Sequence, residues 1–273
     1  MCGRYVMARA TSDLVALGDA ETNEELVLRQ SWNVAPTAEV PILVAHADDV
    51  GAGVTRRIHV ARWGLVPPWA KGLSVGSRAF NARSETVASK PTFRAAVRAR
   101  RCAVPVEGYY EWKAPEPGAK GPDGRAAKKQ PYYVHPAGAG DGEGPVIWFA
   151  GLYEWWQDPE AKAAGEDAWV LSTTILTMAA PDADDDDPVL AALGQLHDRL
   201  PVPMDAETMD RWLAPDTLGS AEEADALVGQ VCAGAYDVAA GWSLRPVGGA
   251  VGNVRNNGPE LIQEMREQQG TLL

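Results

Sequence analysis

A chain of 273 residues can fold as one large domain or two small ones with a sizeable core, and its 46% apolar and 23% charged residues are those of a globular protein. It shows neither an apolar run of about 18 residues nor a basic leader with a cleavage site, which argues against a membrane span or export and predicts a cytoplasmic protein. The net charge of −12 argues against nonspecific nucleic-acid binding by the whole surface, and three cysteines without a C-x-x-C pair argue against a disulfide framework or structural zinc.

The chain begins Met1-Cys2-Gly3-Arg4. Once Met1 is clipped, Cys2 carries a free α-amine and a thiol on adjacent carbons, which together can condense with one aldehyde carbon. The amine gives a Schiff base and the thiol closes a five-membered thiazolidine. Their ordinary pKa values, about 7.7–8 and about 8.5, leave both usable near neutrality. By position alone, an incidental residue in a frayed terminus fits Cys2 as well.

Thr11 or Ser12 is predicted to cap a short helix ending near Gly18. Trp32–Pro36 (WNVAP) leads through a turn to a strand over Ile42–Ala45, a hairpin loop over His46–Gly53 and a returning strand over Arg57–Trp63. Trp63–Trp69 is too rich in proline for helix or strand, and Phe80–Thr86 follows it. Thr92 is expected to cap a helix presenting Arg94, Arg98 and Arg101 as one basic face opposite Phe93 and Val97. Ala103–Trp112 reads as one strand and Lys113–Gln130 as an exposed loop. Strands over Pro131–His135 and Val146–Trp155, joined by a glycine-rich turn, precede another over Trp169–Thr177. The acidic run Asp182–Asp187 leads to Leu196–Pro201 and helices over Ala206–Leu213 and Ala221–Val231. A short strand near Trp242–Val247, a turn at Val251–Gly258 and a helix from Pro259 close the chain. Many strands with few interspersed helices predict one α+β domain, residues 1–273, around a mixed, barrel-like sheet. Cys102 and Cys232 read as core.

From Arg78 to Arg101 the basic residues Arg78, Arg83, Lys90, Arg94, Arg98, Arg100 and Arg101 face one acid, Glu85. A basic patch on an acidic body suits one anionic ligand; a solvated helix face fits equally. Asn81 and Arg83 share a face if that segment is extended, and together can cradle a sugar oxygen and a phosphate. Glu111 sits among aromatics, where burial would raise its pKa and suit it to proton transfer, or it is a rim carboxylate paired with an arginine. His197 can act as a general acid near neutrality or be structural. Trp63 and Trp69 can stack on bases or pack in the core.

Seven blocks, MCGR at 1–4, WNVAP at 32–36, WGLVP at 63–67, NARSET at 81–86, GYYEW at 108–112, HDRLP at 197–201 and VGNVRNN at 251–257, resemble the SOS-response-associated peptidase family, also called abasic-site processing proteins. The blocks follow the family's order and span nearly the whole chain. The resemblance implies one α+β domain with a basic channel for single-stranded DNA. It implies capture of abasic sites as a thiazolidine cross-link through Cys2, with β-lyase activity and a peptidase activity linked to exposing Cys2. Carried over by motif, Asn81 holds the reacting sugar, Glu111 is the acid/base beside the amine, and His197 protonates the opening sugar. Arg4 and Arg83 contact flanking phosphates, with Trp63 and Trp69 among the DNA-binding residues. No cofactor or metal is implied. Expected partners are single-stranded DNA containing abasic sites and replication-fork proteins, for a monomer associated with the nucleoid when bound. Relatives often carry a second aromatic where this chain has Ala70, and Asp in place of Glu107. An N-terminal-nucleophile hydrolase and a non-covalent single-strand binder are the competing readings.

Overall fold

A computed structural model describes residues 2–21, 26–47, 53–121, 123–138 and 144–265. Among these the strands are β1 (Tyr5–Met7), β2 (Ser31–Val34), β3 (Glu39–Ala47), β4 (Val54–Trp63), β5 (Asn81–Arg83), β6 (Arg101–Val106), β7 (Gly108–Lys113) and β8 (Gln130–Pro136). They continue as β9 (Ile147–Gln157), β10 (Trp169–Ala179), β11 (Arg199–Pro201), β12 (Pro203–Met204) and β13 (Trp242–Pro246). The helices are α1 (Thr11–Leu17), α2 (Arg94–Ala99), α3 (Pro159–Ala163), α4 (Pro188–Leu196), α5 (Ala206–Leu213), α6 (Ala221–Ala233) and α7 (Ala235–Ala239).

The strands form two sheets, giving the expected α+β fold with a barrel-like core. In the larger sheet β10, β4, β3, β6 and β9 follow one another, and β9 pairs back onto β10, closing a barrel. β5 and β11 extend it beside β10, and β12 beside β9. The smaller sheet runs β13-β8-β7-β1-β2. Closure explains the nearly continuous apolar sequence of β9, whose residues from Ile147 to Leu152 are all buried. Gly151 sits where barrel strands crowd: a Cβ there would lie 3.0 Å from Cys102 Sγ, Thr174 O and Val104 Cγ2. Trp212 of α5 is fully buried, donating from Nε1 to the carbonyls of Cys102 and Gly151 at 3.0 and 3.2 Å. One core of buried side chains includes Cys2, Tyr5 and Met7 as well as the barrel strands.

Several expectations change. The segment expected as one strand over 103–112 is two, one in each sheet, with the chain turning at Glu107. The Glu107 N–H donates to Val6 O at 2.9 Å, and its carboxylate accepts the Ala8 N–H at 2.6 Å. The strands expected near 131–135 and 146–155 likewise belong to different sheets and are not a hairpin. Thr92 does not cap α2, whose boundary residue is Phe93. Thr11 is the first residue of α1, and its hydroxyl accepts the Leu28 N–H. The expected helix from Pro259 is a 3₁₀ turn over Pro259–Ile262, with 266–273 outside the described residues. Most of the 46–53 hairpin loop also lies outside them, between a β3 reaching Ala47 and a β4 starting at Val54. The acidic run ends as a helix start: the Asp187 carboxylate accepts the N–H groups of Val189 and Leu190, and Pro188 occupies the first turn of α4.

Candidate active site

Cys2 lies just ahead of β1, which is sandwiched antiparallel between β2 and β7. Its position is fixed from three sides. The Tyr110 N–H donates to Arg4 O at 2.9 Å. The Arg4 guanidinium donates to Asn33 Oδ1 at 2.9 Å and to Val251 O at 2.8 Å. Asn33, buried on β2, donates in turn to the carbonyls of Val251, Asn253 and Asn256. Asn257 Oδ1 accepts the Trp32 N–H at 2.7 Å. Two of the sequence blocks, WNVAP and VGNVRNN, thus form one hydrogen-bonded frame that holds Arg4, and through it the segment bearing Cys2.

Three further side chains converge there. β5 runs parallel to β10, with Asn81 opposite Ile175, and places the Asn81 amide 2.8 Å from the Cys2 carbonyl, to which it donates. The other amide atom, Asn81 Oδ1, is buried and without a hydrogen-bond partner. β7 pairs with β1 so that Tyr5 faces Tyr109; continued two residues along each strand, this register sets Gly3 and Glu111 at neighbouring positions. Glu111 is buried, and its Oε1 accepts the Trp112 N–H at 3.2 Å. His197, at the C-terminal boundary of α4, brings Nε2 to 3.9 Å from Glu111 Oε1.

The opposite ring nitrogen of His197 has two neighbours with contrary demands. The Arg199 N–H, 3.0 Å away, requires a lone pair on Nδ1, whereas the Asp198 carboxylate, 2.7 Å away, requires a proton there. The amide is fixed by strand β11 and Asp198 is 84% exposed on its side chain, so the amide governs the neutral ring and leaves its proton on Nε2, facing Glu111.

Burial, and secondarily the Glu111 carboxylate, raises the Cys2 thiol well above its ordinary range. Burial and then Cys2 do the same to Tyr5; burial, Cys2 and Glu111 do so to Tyr109. The thiol is therefore protonated at neutral pH. Neither Tyr5, which follows Arg4, nor Tyr109, two residues before Glu111, stands out in the sequence. Tyr5 Oη is buried without a hydrogen-bond partner.

The two tryptophans part company. Trp69 is 61% exposed. Trp63 is fully buried, its ring 5.0 Å from that of Tyr5 and its indole N–H donating to Phe80 O at 2.9 Å, so no base can stack on it in this arrangement. Ala70 is buried beneath the Trp69 segment, its carbonyl accepting from Trp156 Nε1 at 2.8 Å.

The basic run also divides. Arg101 is buried and donates to five carbonyls, those of Val97, Arg98, Trp212, Ala214 and Asp216. Arg98 donates to the carbonyls of Leu218 and Gly219, and Arg100 pairs with buried Glu154 at 2.8 Å. These three are internal fasteners, which corrects the expected solvent-facing basic stripe. Arg78, Arg83, Lys90 and Arg94 are exposed and make no ion pair among the described residues. Glu85, the one acid of the run, is bound by Arg199 at 2.5 and 2.9 Å, a pairing that holds its carboxyl below the usual range.

The sequence model of the SOS response associated peptidase (SRAP) family matches residues 1–254. The abasic site processing protein YoqW of Bacillus subtilis (strain 168) is 30% identical over 264 residues, covering 96% of this chain and 99% of that protein. The abasic site processing protein HMCES of Rattus norvegicus is 26% identical over 258 residues, covering 85% of this chain and 64% of that protein. A crystal structure of a protein from Bacteroides thetaiotaomicron shares the fold, with a TM-score of 0.69 at 20% identity over 97% of this chain and 100% of the other.

Proposed function

The chain belongs to the SOS response associated peptidase family, and from that membership we propose that it processes abasic sites in single-stranded DNA by forming a thiazolidine cross-link through Cys2. The observation that carries the reading is the convergence of Asn81 and the Glu111–His197 pair on the segment bearing Cys2.

The chemistry runs as follows. Removal of Met1 exposes the Cys2 amine. An abasic sugar opens to its aldehyde when a proton reaches the ring oxygen, and His197 Nε2–H supplies that proton. The amine adds to the aldehyde carbon, giving a carbinolamine. Loss of water, with a proton delivered to the departing hydroxyl by Glu111 or His197, gives the Schiff base. The thiol then adds across the C=N bond; its proton passes through Glu111 to the former imine nitrogen. The net change is one new C–N bond, one new C–S bond and one water released. A protonated thiol fits this order, because the amine attacks first and the sulfur closes the ring afterwards. The imine also acidifies the neighbouring sugar hydrogens and permits strand scission by β-elimination, which thiazolidine closure withholds. Asn81 anchors the Cys2 carbonyl with its N–H and offers its unpartnered Oδ1 to the sugar. Arg4 and Arg83 supply positive charge to flanking phosphates, and Trp69 alone of the two tryptophans offers a face for stacking.

A thiol raised by burial is a poor peptidase nucleophile, which weighs against the hydrolase reading. The test is incubation with an oligonucleotide bearing one abasic site, followed by a denaturing gel. A heat-resistant shifted species is expected from the mature chain and none from Cys2→Ala. No such species from wild type, or its persistence in the variant, would refute the proposal.

A further inference from the structure

Two of the four cations of the basic run that make no ion pair among the described residues lie together. Arg78 and Lys90 line one cavity of about 600 Å³ whose wall includes Asn81, the residue bonded to the Cys2 carbonyl. Val75, Ala79 and Phe93 supply its apolar lining, and Ser74, Ser77 and Thr92 line it too. Pockets of about 300–1,000 Å³ accommodate whole small molecules, so the space exceeds what a phosphate group alone would fill.

The cavity has a rigid rim. Its 73–78 wall is a 3₁₀ turn packed backbone to backbone on the WGLVP block: a Cβ on Gly76 would lie 2.3 Å from Gly64 O. The Leu65 N–H donates to Ala79 O at 3.1 Å on the same wall. On the opposite wall the Lys90 N–H donates to Thr86 O, and the Phe93 and Arg94 N–H groups to Lys90 O, fixing the backbone from which the lysine projects.

Building on the proposed abasic-site chemistry, we infer that this cavity seats the nucleotide next to the lesion. Arg78 and Lys90 take its phosphodiester, and its sugar and base rest on Val75, Ala79 and Phe93. The placement follows from Asn81: its amide donates to the Cys2 carbonyl, on the segment where the abasic sugar would react, and the same residue lines the cavity, which sets the cavity beside that sugar. Two cations without an acid partner suit a phosphodiester, because neither has an ion pair to break before binding it. The apolar lining makes no base-specific demand, so the seat accepts any of the four bases.

The experiment is a substrate–enzyme cycle on single-turnover cross-linking rates at subsaturating protein. Single-stranded oligonucleotides carry one abasic site and a neutral methylphosphonate at the linkage either 5′ or 3′ to it, or at a distant linkage. Wild type is expected to lose at least about tenfold in rate with the methylphosphonate at one of the two adjacent linkages, and little at the distant one. Arg78→Ala/Lys90→Ala is expected to be slower on the unmodified strand by a similar factor and indifferent to that methylphosphonate. If the two losses multiply instead, or if the double variant matches wild type on the unmodified strand, the inference is overturned while the cross-linking chemistry stands. No cross-link by wild type on the unmodified strand refutes the underlying reading instead. A melting curve for the double variant, with both replaced side chains exposed, is expected to match that of wild type; loss of folding would shift the cycle to Arg78→Gln and Lys90→Gln singly, each expected to lose part of the sensitivity.

Discussion

Replacing Arg101 by methionine separates the two kinds of arginine in the basic run. The change keeps the aliphatic stem and removes the guanidinium. Of the five carbonyls that lose a donor, the bonds to Trp212 and Val97 are fully buried, and those to Arg98, Ala214 and Asp216 are partly accessible to water. An acceptor left buried and unsatisfied costs about 1–3 kcal/mol, whereas one that water can reach costs little. Two such acceptors give about 2–6 kcal/mol, and relief from holding a buried charge offsets part, leaving about 3 kcal/mol. At about 2–4 °C per kcal/mol for a chain of this size class, the melting temperature should fall by about 6–12 °C. The assay is thermal denaturation followed by circular dichroism, with binding to a fluorescent single-stranded oligonucleotide measured well below the variant's melting point. There the affinity and its salt dependence should match wild type, because the lost charge faces carbonyls. Arg83→Ala should behave inversely, with an unchanged melt and a salt slope reduced by about 0.7, the value for one phosphate contact on a single strand. A melting temperature within about 2 °C of wild type for Arg101→Met, or a reduced salt slope in the folded variant, would refute the assignment.

Asn81→Ala removes the bond to the Cys2 carbonyl and the Oδ1 offered to the sugar. At about 1 kcal/mol each, the cross-linking rate should fall about 30-fold with little change in melting; a rate within threefold of wild type counts against both roles. His46 and His59 face each other across 3.2 Å between Nε2 atoms. Burial and then Arg57 lower the pKa of His46; burial, then His46 and Arg57, lower that of His59. Below the unfolded value of about 6.5 the unfolded chain takes up protons that the folded chain resists, so stability should fall as pH drops from neutrality into that window. His46→Gln/His59→Gln should flatten the melting-temperature profile between about pH 7 and 5; an unchanged slope argues against the pair. Gly64→Ala puts a Cβ 2.4 Å from Gly76 O at a φ of +128°, and should lower stability by about 1–3 kcal/mol or more, together with cross-linking yield. Gly72→Ala, which meets nothing within 4 Å, is the control that should leave both unchanged.

Much of the fold was legible because its signals are local. The β3–β4 hairpin lies between turn residues, and α5 and α6, expected over 206–213 and 221–231, begin after Asp205 and Ser220, each accepting a backbone N–H as a cap. What escaped prediction depends on distant partners. The apolar pattern runs unbroken through Glu107 because both strands it joins are mostly buried, and the corner there is held by bonds to Val6 and Ala8 across the smaller sheet. Helical spacing put Arg94, Arg98 and Arg101 on one face, but α2 ends at Ala99 and Arg101 opens β6. What Arg98 and Arg101 meet, the carbonyls around 212–219, is supplied by chain more than a hundred residues on. Trp63 and Trp69 look alike in sequence, and only the neighbouring Tyr5 and Phe80 put one in the core. The grouping of Asn81, Glu111 and His197 around the Cys2 segment came from the order of the motif blocks, since nothing in their local patterns requires them to meet.

The narrow strand β1 has a mechanical consequence. If DNA is tethered to Cys2, any tension on that strand, as from a polymerase or helicase running into it, enters the protein through the lead-in to β1. That strand is only Tyr5–Met7, yet it is laced to β7 on one side and β2 on the other. A pull along its axis loads both ladders at once in shear, instead of peeling one bond at a time. Arg4, tied to Asn33 and Val251, takes up force two residues from the load. The segment bearing Cys2 is thereby built as an anchorage, in which the hydrogen bonds of two ladders share the strain.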